Sequence, residues 1–285
     1  MIKQLLLVIC ITLLLNGCAE ECEPCIELEC QECICEKPEE GNLYIYFIDV
    51  GYGDSQLIKY GGTEMLIDCG KNTAGPDIVK FLKDKGVAEL DYLMISHPDS
   101  DHLGGCDDVM ESIPTKVAIM NGDKADTVSY DEVMQAISNK QVQLITAEAG
   151  DVWSIGPSFI GVVQANTGLG TPNKNSIVAK LSYGEMSVLF TGDCDRECED
   201  SLLGKNIEAD ILKVAHHGSA FGTHADFLEK VNPQLAVISV GENEYGHPTE
   251  ETIGRLNQDG IIMYRTDKDG IITVRMTEAG YEVVK

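Results

Sequence analysis

The sequence has little positive charge. It contains 21 lysine and arginine residues against 47 aspartate and glutamate residues, and its formal net charge is −26 over 285 residues. No run rich in lysine or arginine occurs in the chain. A protein that binds nucleic-acid phosphates through its own cations needs such a run or patch. The composition therefore argues against that class, but it does not exclude a nuclease whose bound metal ions attract the phosphate.

Residues 1–17 have the form of a bacterial-type signal peptide, with Lys3 followed by an apolar core. They end in Leu-Asn-Gly before Cys18, which resembles the lipobox of exported lipoproteins. A signal anchor is the weaker alternative, because a spanning helix needs about 20 apolar residues. We therefore expect a lipidated Cys18 that tethers the protein to a membrane and faces outside the cytoplasm.

Residues 18–41 have the composition of a linker. They contain six of the eleven cysteines and nine glutamates, with few large apolar residues, so they lack the material for a core. The cysteine spacings between Cys22 and Cys35 allow either disulfides or a metal site with soft ligands. Disulfides are favoured for a segment outside a reducing cytosol.

Residues 42–285 are long enough for one large α/β domain. The runs LYIYFIDV, SQLIKY and EMLIDCG predict three strands, and GPDIVKFLKDKG predicts a helix with Pro76 near its start and Gly86 at its end. Strands open both halves of this region, and strand–helix units follow in each half. The pattern predicts an αββα sandwich, in which two mixed β-sheets pack together between outer helices.

Five of the six histidines lie in glycine- or proline-marked loops directly after apolar strands. Aspartates accompany them in the stretch SHPDSDH and in TGDCD. The residues are His97, Asp99, Asp101, His102, Asp193, His216, His217 and His247. Histidine nitrogens and carboxylate oxygens together are typical ligands of hydrolytic metal sites, and Asp193 is suited to bridge two ions. His224 instead precedes a helix, and we interpret it as a surface residue.

These motifs resemble those of the metallo-β-lactamase superfamily. The signature His-x-His-x-Asp-His is matched by SHPDSDH, in which Asp99 stands at the place of the second histidine. Together with DVGYGDS, TGD, LKVAHHGS and YGHP, this variant is similar to the extracellular hydrolase domain of ComEC-type competence proteins. The likeness covers Leu43 to Val284 and implies the αββα fold and a metal-dependent hydrolase.

The resemblance implies two divalent metal ions. His97, Asp99 and Asp193 would hold one ion. The second would be held by Asp101, His102, Asp193 and one histidine of the next pair, for which we favour His217. Two such ions convert a shared water to hydroxide near neutral pH. Asp101 or His216 would move the proton, and His247 would face the substrate.

Several polar residues are expected to support these ligands. Asp68 would orient a ligand histidine, and Asp49 is assigned to the same kind of role, although Asp49 and Asp54 could simply cap a turn. Asn173 and Asn175 stand where the family has a further histidine. The loss of imidazole ligands shifts the preference from zinc toward harder ions. The expected metals are therefore zinc, manganese or magnesium.

The function implied by the resemblance is that of a phosphodiesterase or nuclease on the cell surface, with a phosphoester such as DNA as its substrate. Alternatives are the hydrolysis of a carboxylic ester, a lactone or a phosphorylcholine ester, and a non-catalytic surface-binding role. No protein partner is indicated. Cys194 and Cys198 are interpreted as a disulfide or a coincidence of spacing, and Cys69 and Cys106 as small buried packing residues.

Overall fold

The computed structural model describes residues 41–168 and 170–284. The predicted signal peptide, the lipidated Cys18 and the cysteines of the linker lie outside these ranges, so their roles stay predictions. Within the described ranges, no helix is both long enough and apolar enough to cross a membrane.

Strands and helices alternate along the described chain. The strands are β1 Leu43–Phe47, β2 Gln56–Tyr60, β3 Thr63–Ile67, β4 Leu90–Ile95, β5 Thr115–Met120, β6 Gln143–Thr146, β7 Val152–Ile155, β8 Ser158–Gln164, β9 Val178–Tyr183, β10 Met186–Phe190, β11 Ile211–Lys213, β12 Leu235–Ile238, β13 Ile262–Arg265, β14 Ile272–Thr277 and β15 Gly280–Val284. The helices are α1 Gly75–Asp84, α2 Ser100–Leu103, α3 Cys106–Ser112, α4 Val128–Lys140, α5 Arg196–Leu202, α6 Ala225–Val231, α7 Glu250–Gln258 and α8 Thr266–Asp269.

The strands form two mixed sheets. The eight-stranded sheet has the order β15-β14-β1-β2-β3-β4-β5-β6, and the seven-stranded sheet has the order β13-β12-β11-β10-β9-β8-β7. Strands β3 to β6 are parallel in the first sheet, and β10 to β13 are parallel in the second. The predicted sandwich of two mixed sheets is confirmed.

Successive side chains of a strand point to opposite faces of its sheet. One face contributes to a core between the two sheets, and the other to a core under the outer helices. On β1, Leu43, Ile45 and Phe47 are buried between the sheets, and Phe47 meets Phe190 of the other sheet with ring centroids 6.3 Å apart. The opposite face of the first sheet packs under α1, α3 and α4, and that of the second sheet under α5, α6 and α7. Helices therefore cover both outer faces, as the αββα pattern requires.

Close backbone packing brings α3 against the loop after β3. A Cβ atom on Gly105 would lie 2.6 Å from the Cys69 carbonyl oxygen and 2.8 Å from the Cα of Gly75, so only glycine fits there. Cys69 and Cys106 form a disulfide at the same place. The interpretation of these two cysteines as packing residues was wrong. The disulfide could not be predicted, because it joins two segments that are distant in the chain.

A second disulfide joins Cys194 to Cys198 across the start of α5. This pair was expected to be either a disulfide or a coincidence, and the structure shows the disulfide. Each of the two disulfides begins at the residue after a strand-end aspartate, Asp68 or Asp193. They hold the two loops from which those aspartates project.

Candidate metal centre

The loops that follow the parallel strands of both sheets converge at one edge of the sandwich. Asp68 follows β3 and His97 follows β4, while Asp193 follows β10 and the histidine pair follows β11. The carboxyl ends of parallel strands are the usual place for α/β chemistry, because the loops there meet at a common edge. Residues distant in the sequence thus form one buried cluster.

Among the buried atoms of this cluster that have no hydrogen-bond partner, four converge. They are Nε2 of His97, Nε2 of His102, Nε2 of His217 and Oδ1 of Asp193. Asp193 Oδ1 lies 3.1 Å from Nε2 of His102 and 3.8 Å from Nε2 of His217, and Asp193 Oδ2 lies 3.9 Å from Nε2 of His97. A buried polar atom without a partner costs about 1–3 kcal/mol. Histidine nitrogens and a carboxylate that converge in this way fit a metal cation.

The other ring nitrogen of each of these histidines has a partner. His102 Nδ1 lies 2.8 Å from Asp68 Oδ2, and His217 Nδ1 lies 2.9 Å from the carbonyl oxygen of Ser239. His97 Nδ1 lies 3.0 Å from the Ser96 hydroxyl. A hydrogen bond at Nδ1 fixes the ring and directs the Nε2 lone pair toward a metal. Asp68 thus has the contact expected of a residue that orients a ligand histidine.

The cluster attracts positive charge. Burial alone would lower the pKa of His102, but the carboxylates of Asp193 and Asp68 outweigh it and raise that pKa well above its usual value. Burial would raise the pKa of Asp193, yet the charges of His102 and His217 hold it well below its usual range. The carboxylate of Asp193 is therefore ionised and available to a cation.

Asp54 and Lys213 form a buried ion pair beside the cluster. Asp54 also lies 3.8 Å from Nδ1 of His102 and 3.7 Å from Nδ1 of His217. Asp54 was interpreted as a possible turn cap, and no role was predicted for Lys213. The one available signal was a lysine inside the otherwise apolar run ILKVA.

The formal charges of the site match two divalent ions. Lys213 neutralises Asp54, which leaves four further carboxylates, those of Asp68, Asp99, Asp101 and Asp193. Their summed charge is equal and opposite to that of two divalent cations. Buried carboxylates need such compensation, because an unpaired buried charge is strongly unfavourable.

The histidine pair adopts an unusual backbone. His216 has φ 49° and His217 has φ 53°, both in the left-handed region that residues with side chains rarely adopt. His217 is fully buried and approaches Asp101 Oδ2 at 3.5 Å, whereas His216 keeps 26% of its side chain exposed and lies 3.6 Å from Asp193 Oδ2. The geometry favours His217 as the ligand and leaves His216 facing the solvent side.

Asp99 and Asp101 flank the site on the loop and first turn of α2. Asp99 Oδ2 lies 3.5 Å from His97 Nε2, and its side chain is 40% exposed. Burial would raise the pKa of Asp101, but its contact with His217 and the charge of His102 lower it below its usual value. Asp99 thus lies beside His97, and Asp101 lies beside His217.

The structure separates the two asparagines. The Asn173 amide lies 3.4 Å from Asp193 Oδ2, at the edge of the cluster. Asn175 instead donates to Asp123 and accepts from the Thr167 hydroxyl, so its side chain supports the neighbouring loops. Asn173 is thus the asparagine that lies beside Asp193.

Asp49 is exposed and accepts the backbone N–H of Gly51 at 3.1 Å. This contact is the turn cap that was its alternative interpretation, and it favours that role over the support of a ligand histidine. The exposed position follows from the turn that ends β1, which directs the side chain to solvent.

His247 lies at the mouth of the site. Its Nδ1 atom is 3.1 Å from the Tyr52 hydroxyl, and its ring meets His216 edge-on at 5.5 Å. Burial and the neighbouring His216 and His217 lower the pKa of His247 to about 4, so the ring is neutral near pH 7. With the Tyr52 hydroxyl donating to Nδ1, we assign the ring proton to Nε2, which can donate to a substrate.

The interpretation of His224 as an ordinary surface residue was wrong. His224 is half-buried, and its Nδ1 atom lies 2.8 Å from Oε2 of the buried Glu199. Glu199 also accepts the backbone N–H groups of Thr223 and His224, and thereby fixes the segment that follows the histidine pair. Burial raises the pKa of Glu199 to about 8, although these N–H groups oppose the shift.

Comparison with known families agrees with this geometry. The sequence profile described as Metallo-beta-lactamase superfamily matches residues 48–242, which include the whole histidine and aspartate cluster. The chain belongs to the metallo-β-lactamase superfamily. The resemblance and the fold are therefore confirmed, and the fold is the one typical of the superfamily's metal-dependent hydrolases.

Curated relatives include competence proteins. The chain is 29% identical over 250 residues to ComE operon protein 3 of Bacillus subtilis, which covers 80% of this chain and 32% of that protein. It is 32% identical over 237 residues to Competence protein ComA of Neisseria gonorrhoeae, and the match covers 81% of this chain and 32% of that protein. Recombination protein 2 of Haemophilus influenzae is 28% identical over 243 residues, with 83% and 29% covered. The chain thus spans about a third of the length of these relatives.

Solved structures share the fold. The metallo-β-lactamase fold protein YhfI of Bacillus subtilis matches with a TM-score of 0.55 at 14% identity, covering 81% of this chain and 99% of that one. CmlA, a diiron β-hydroxylase from Streptomyces venezuelae, matches with a TM-score of 0.54 at 12% identity, covering 84% and 54%. At these identities the likeness concerns the fold alone.

The contact between Asp68 and His102 gives a first prediction. Asp68→Asn keeps a residue that tolerates the left-handed backbone at φ 57°, but it weakens the acceptor for His102 Nδ1. We expect the affinity for Mn²⁺ or Zn²⁺, measured by titration calorimetry, to fall roughly 10- to 100-fold.

Asp210→Asn is the matched control, because Asp210 accepts from the N–H and hydroxyl of Ser187 much as Asp68 accepts from those of Ser96, but without a histidine. Equal metal affinity in Asp68→Asn and in Asp210→Asn would contradict the role of Asp68.

Glu199 gives a prediction for pH. Its folded pKa of about 8 exceeds the ordinary value of 4.5, so the protonated form stabilises the fold. That contribution is complete below pH 4.5 and is lost as the pH rises through about 8. We expect the unfolding free energy of the wild type to fall between pH 5 and 9 relative to that of Glu199→Gln. The difference should reach a few kcal/mol at most, since one pKa unit corresponds to about 1.4 kcal/mol.

Urea denaturation at each pH measures this difference. Glutamine cannot ionise, so any cost of the substitution itself is a constant offset. Parallel pH profiles of the two proteins would show that Glu199 is ionised in the folded state.

Proposed function

We propose that this protein is a metal-dependent phosphodiesterase, with DNA among its candidate substrates, that uses two divalent ions. The observation that carries the proposal is the convergence of four partnerless buried atoms, Nε2 of His97, His102 and His217 and Oδ1 of Asp193. A protein that only binds at its surface has no need to hold these atoms buried and unpaired at a cost in stability.

The residues would hold the ions as follows. His97, Asp99 and Asp193 would bind one ion, and Asp101, His102, His217 and Asp193 the other. Divalent ions at these positions supply Lewis acidity, which activates water and neutralises the negative charge that develops on the substrate. Asp101, which stays ionised, and the neutral His216 are positioned to accept or pass on a proton. His247 is positioned to donate from Nε2 to a substrate oxygen.

Two points support phosphoester chemistry over other esters. Divalent ions in the cluster would bind phosphate oxygens as Lewis acids, and the neutral donors His216 and His247 lie at its mouth. This arrangement suits a phosphoester. In addition, two relatives are named for competence and for recombination, and recombination is a process of DNA. Hydrolysis of a carboxylic ester, lactone or phosphorylcholine ester remains the alternative that the test below separates.

The ligand set favours ions that bind oxygen ligands well. The site of His97 would have one imidazole and two carboxylates, and the Asn173 amide stands beside Asp193. Such a set suits manganese or zinc, with magnesium as the hardest candidate. Export and attachment through a lipid on Cys18 belong to the same proposal.

The test uses the purified full-length protein in detergent. The protein is stripped with a chelator and then given zinc, manganese or magnesium, and hydrolysis of bis-p-nitrophenyl phosphate and of linear DNA is measured. We expect activity that requires a metal and that falls by more than about 100-fold in Asp193→Asn and His102→Ala, because each removes a ligand.

Asp131→Asn, an exposed carboxylate on α4, is the control that should keep the activity. Cleavage that survives in Asp193→Asn would contradict the assigned site. Metal binding without cleavage of either phosphoester, but with turnover of a lactone or carboxylic ester, would replace the phosphodiesterase assignment.

A further inference from the structure

Three aromatic rings lie side by side at the mouth of the metal centre. The ring centroids of Tyr52 and Tyr245 are 5.3 Å apart with planes inclined by 32°. Those of Tyr245 and His247 are 5.7 Å apart at 29°, and those of Tyr52 and His247 are 6.2 Å apart at 27°. We call Tyr52, Tyr245 and His247 the aromatic rim. Its rings are inclined by at most 32° to one another, so together they form a platform.

The members of the rim differ in exposure. Tyr52 is buried at 8% exposure and its hydroxyl contacts His247, whereas the Tyr245 side chain is 71% exposed. Large aromatic side chains on a surface are enriched at binding sites, because burying them on binding is favourable. Tyr245 thus presents a free aromatic surface on a buried support.

The Asn243 side chain holds the backbone on either side of this exposed ring. The Asn243 amide oxygen accepts the N–H groups of Tyr245 at 3.1 Å and of His247 at 3.0 Å. The Asn243 amide nitrogen donates to the carbonyl oxygens of Gly241 and His247, both at 2.8 Å. The backbone that carries Tyr245 is thus ordered before a ligand binds, which lowers the entropy cost of stacking on its ring.

The rim adjoins the reactive centre. The Tyr52 ring lies 4.5 Å from the ring of His217, and Lys71 Nζ lies 4.9 Å from the Tyr52 centroid. Because Tyr52 contacts both Tyr245 and His217, a planar group stacked on Tyr245 would lie one ring away from the metal centre, and Lys71 is a cation beside that intervening ring. This spacing links a ring to a phosphate within one small ligand.

We propose that Tyr245 stacks on a nucleobase of the substrate and so selects nucleotide phosphodiesters over other phosphoesters. The proposal rests on the proposed phosphodiesterase function. Stacking is available to every base and requires no positive charge, which suits a chain with so few lysines and arginines. Recognition through the ring takes the place of the basic patch that the sequence lacks.

The test compares two ligands that differ only in the base. Binding of adenosine 5′-monophosphate and of ribose 5-phosphate to the metal-loaded protein is measured by calorimetry. We expect the base to tighten binding roughly 5- to 100-fold, the range that stacking on one aromatic side chain gives. Tyr245→Leu should abolish most of that ratio, and Tyr245→Phe should keep it, since phenylalanine retains the ring.

Phe159→Leu is the matched control, because Phe159 is an aromatic residue on β8 with 50% exposure. It should leave the ratio unchanged. Equal affinity for the two ligands, no binding of either, or a ratio that survives in Tyr245→Leu would overturn the proposal. A failure of the phosphodiesterase proposal gives a different result. The protein would then bind the nucleotide normally but would not cleave bis-p-nitrophenyl phosphate or DNA.

Discussion

The carboxylate of Asp193 lies buried among the imidazoles of His97, His102 and His217, and this arrangement favours a positive charge between them. A buried carboxylate is tolerable only when it is paired, and three inward-facing nitrogens without partners add to the cost. Divalent cations satisfy all four groups together. The ion pair of Lys213 with Asp54 keeps a further carboxylate neutralised without drawing on those ions. The proposed metal centre, the orientation of its histidines and the proposed chemistry all follow from this one electrostatic constraint.

The surrounding loops are held so that these groups stay in place. Disulfides start at Cys69 and Cys194, directly after Asp68 and Asp193, and the protonated Glu199 fixes the segment after the histidine pair. Disulfides persist in oxidising compartments, which supports the proposed export. Rigid support of this kind limits movement of the ligands during a reaction. The exposed Tyr245 at the mouth of the site is held by the same principle, through the Asn243 amide.

Much of the fold and the ligand cluster could be predicted from the sequence, because both depend on local patterns. His97, Asp99, Asp101 and His102 follow an apolar strand within six residues, so their common placement is fixed by the chain itself. The pairing of Asp54 with Lys213, the disulfide of Cys69 with Cys106 and the contact of His224 with Glu199 could not be predicted. Each joins segments far apart in the chain, and no pattern of spacing or periodicity encodes which of several distant residues will meet.

The number of metal ions bound per chain tests the account most directly. The metal-free protein is equilibrated with Mn²⁺ or Zn²⁺ and freed of excess ion, and the bound metal is counted by native mass spectrometry. The account predicts two divalent ions per chain, and the loss of at least one of them in Asp193→Asn, which bridges both positions. A chain that binds no ion, or that keeps two ions without the Asp193 carboxylate, would contradict the assignment of the buried cluster as a dinuclear metal centre.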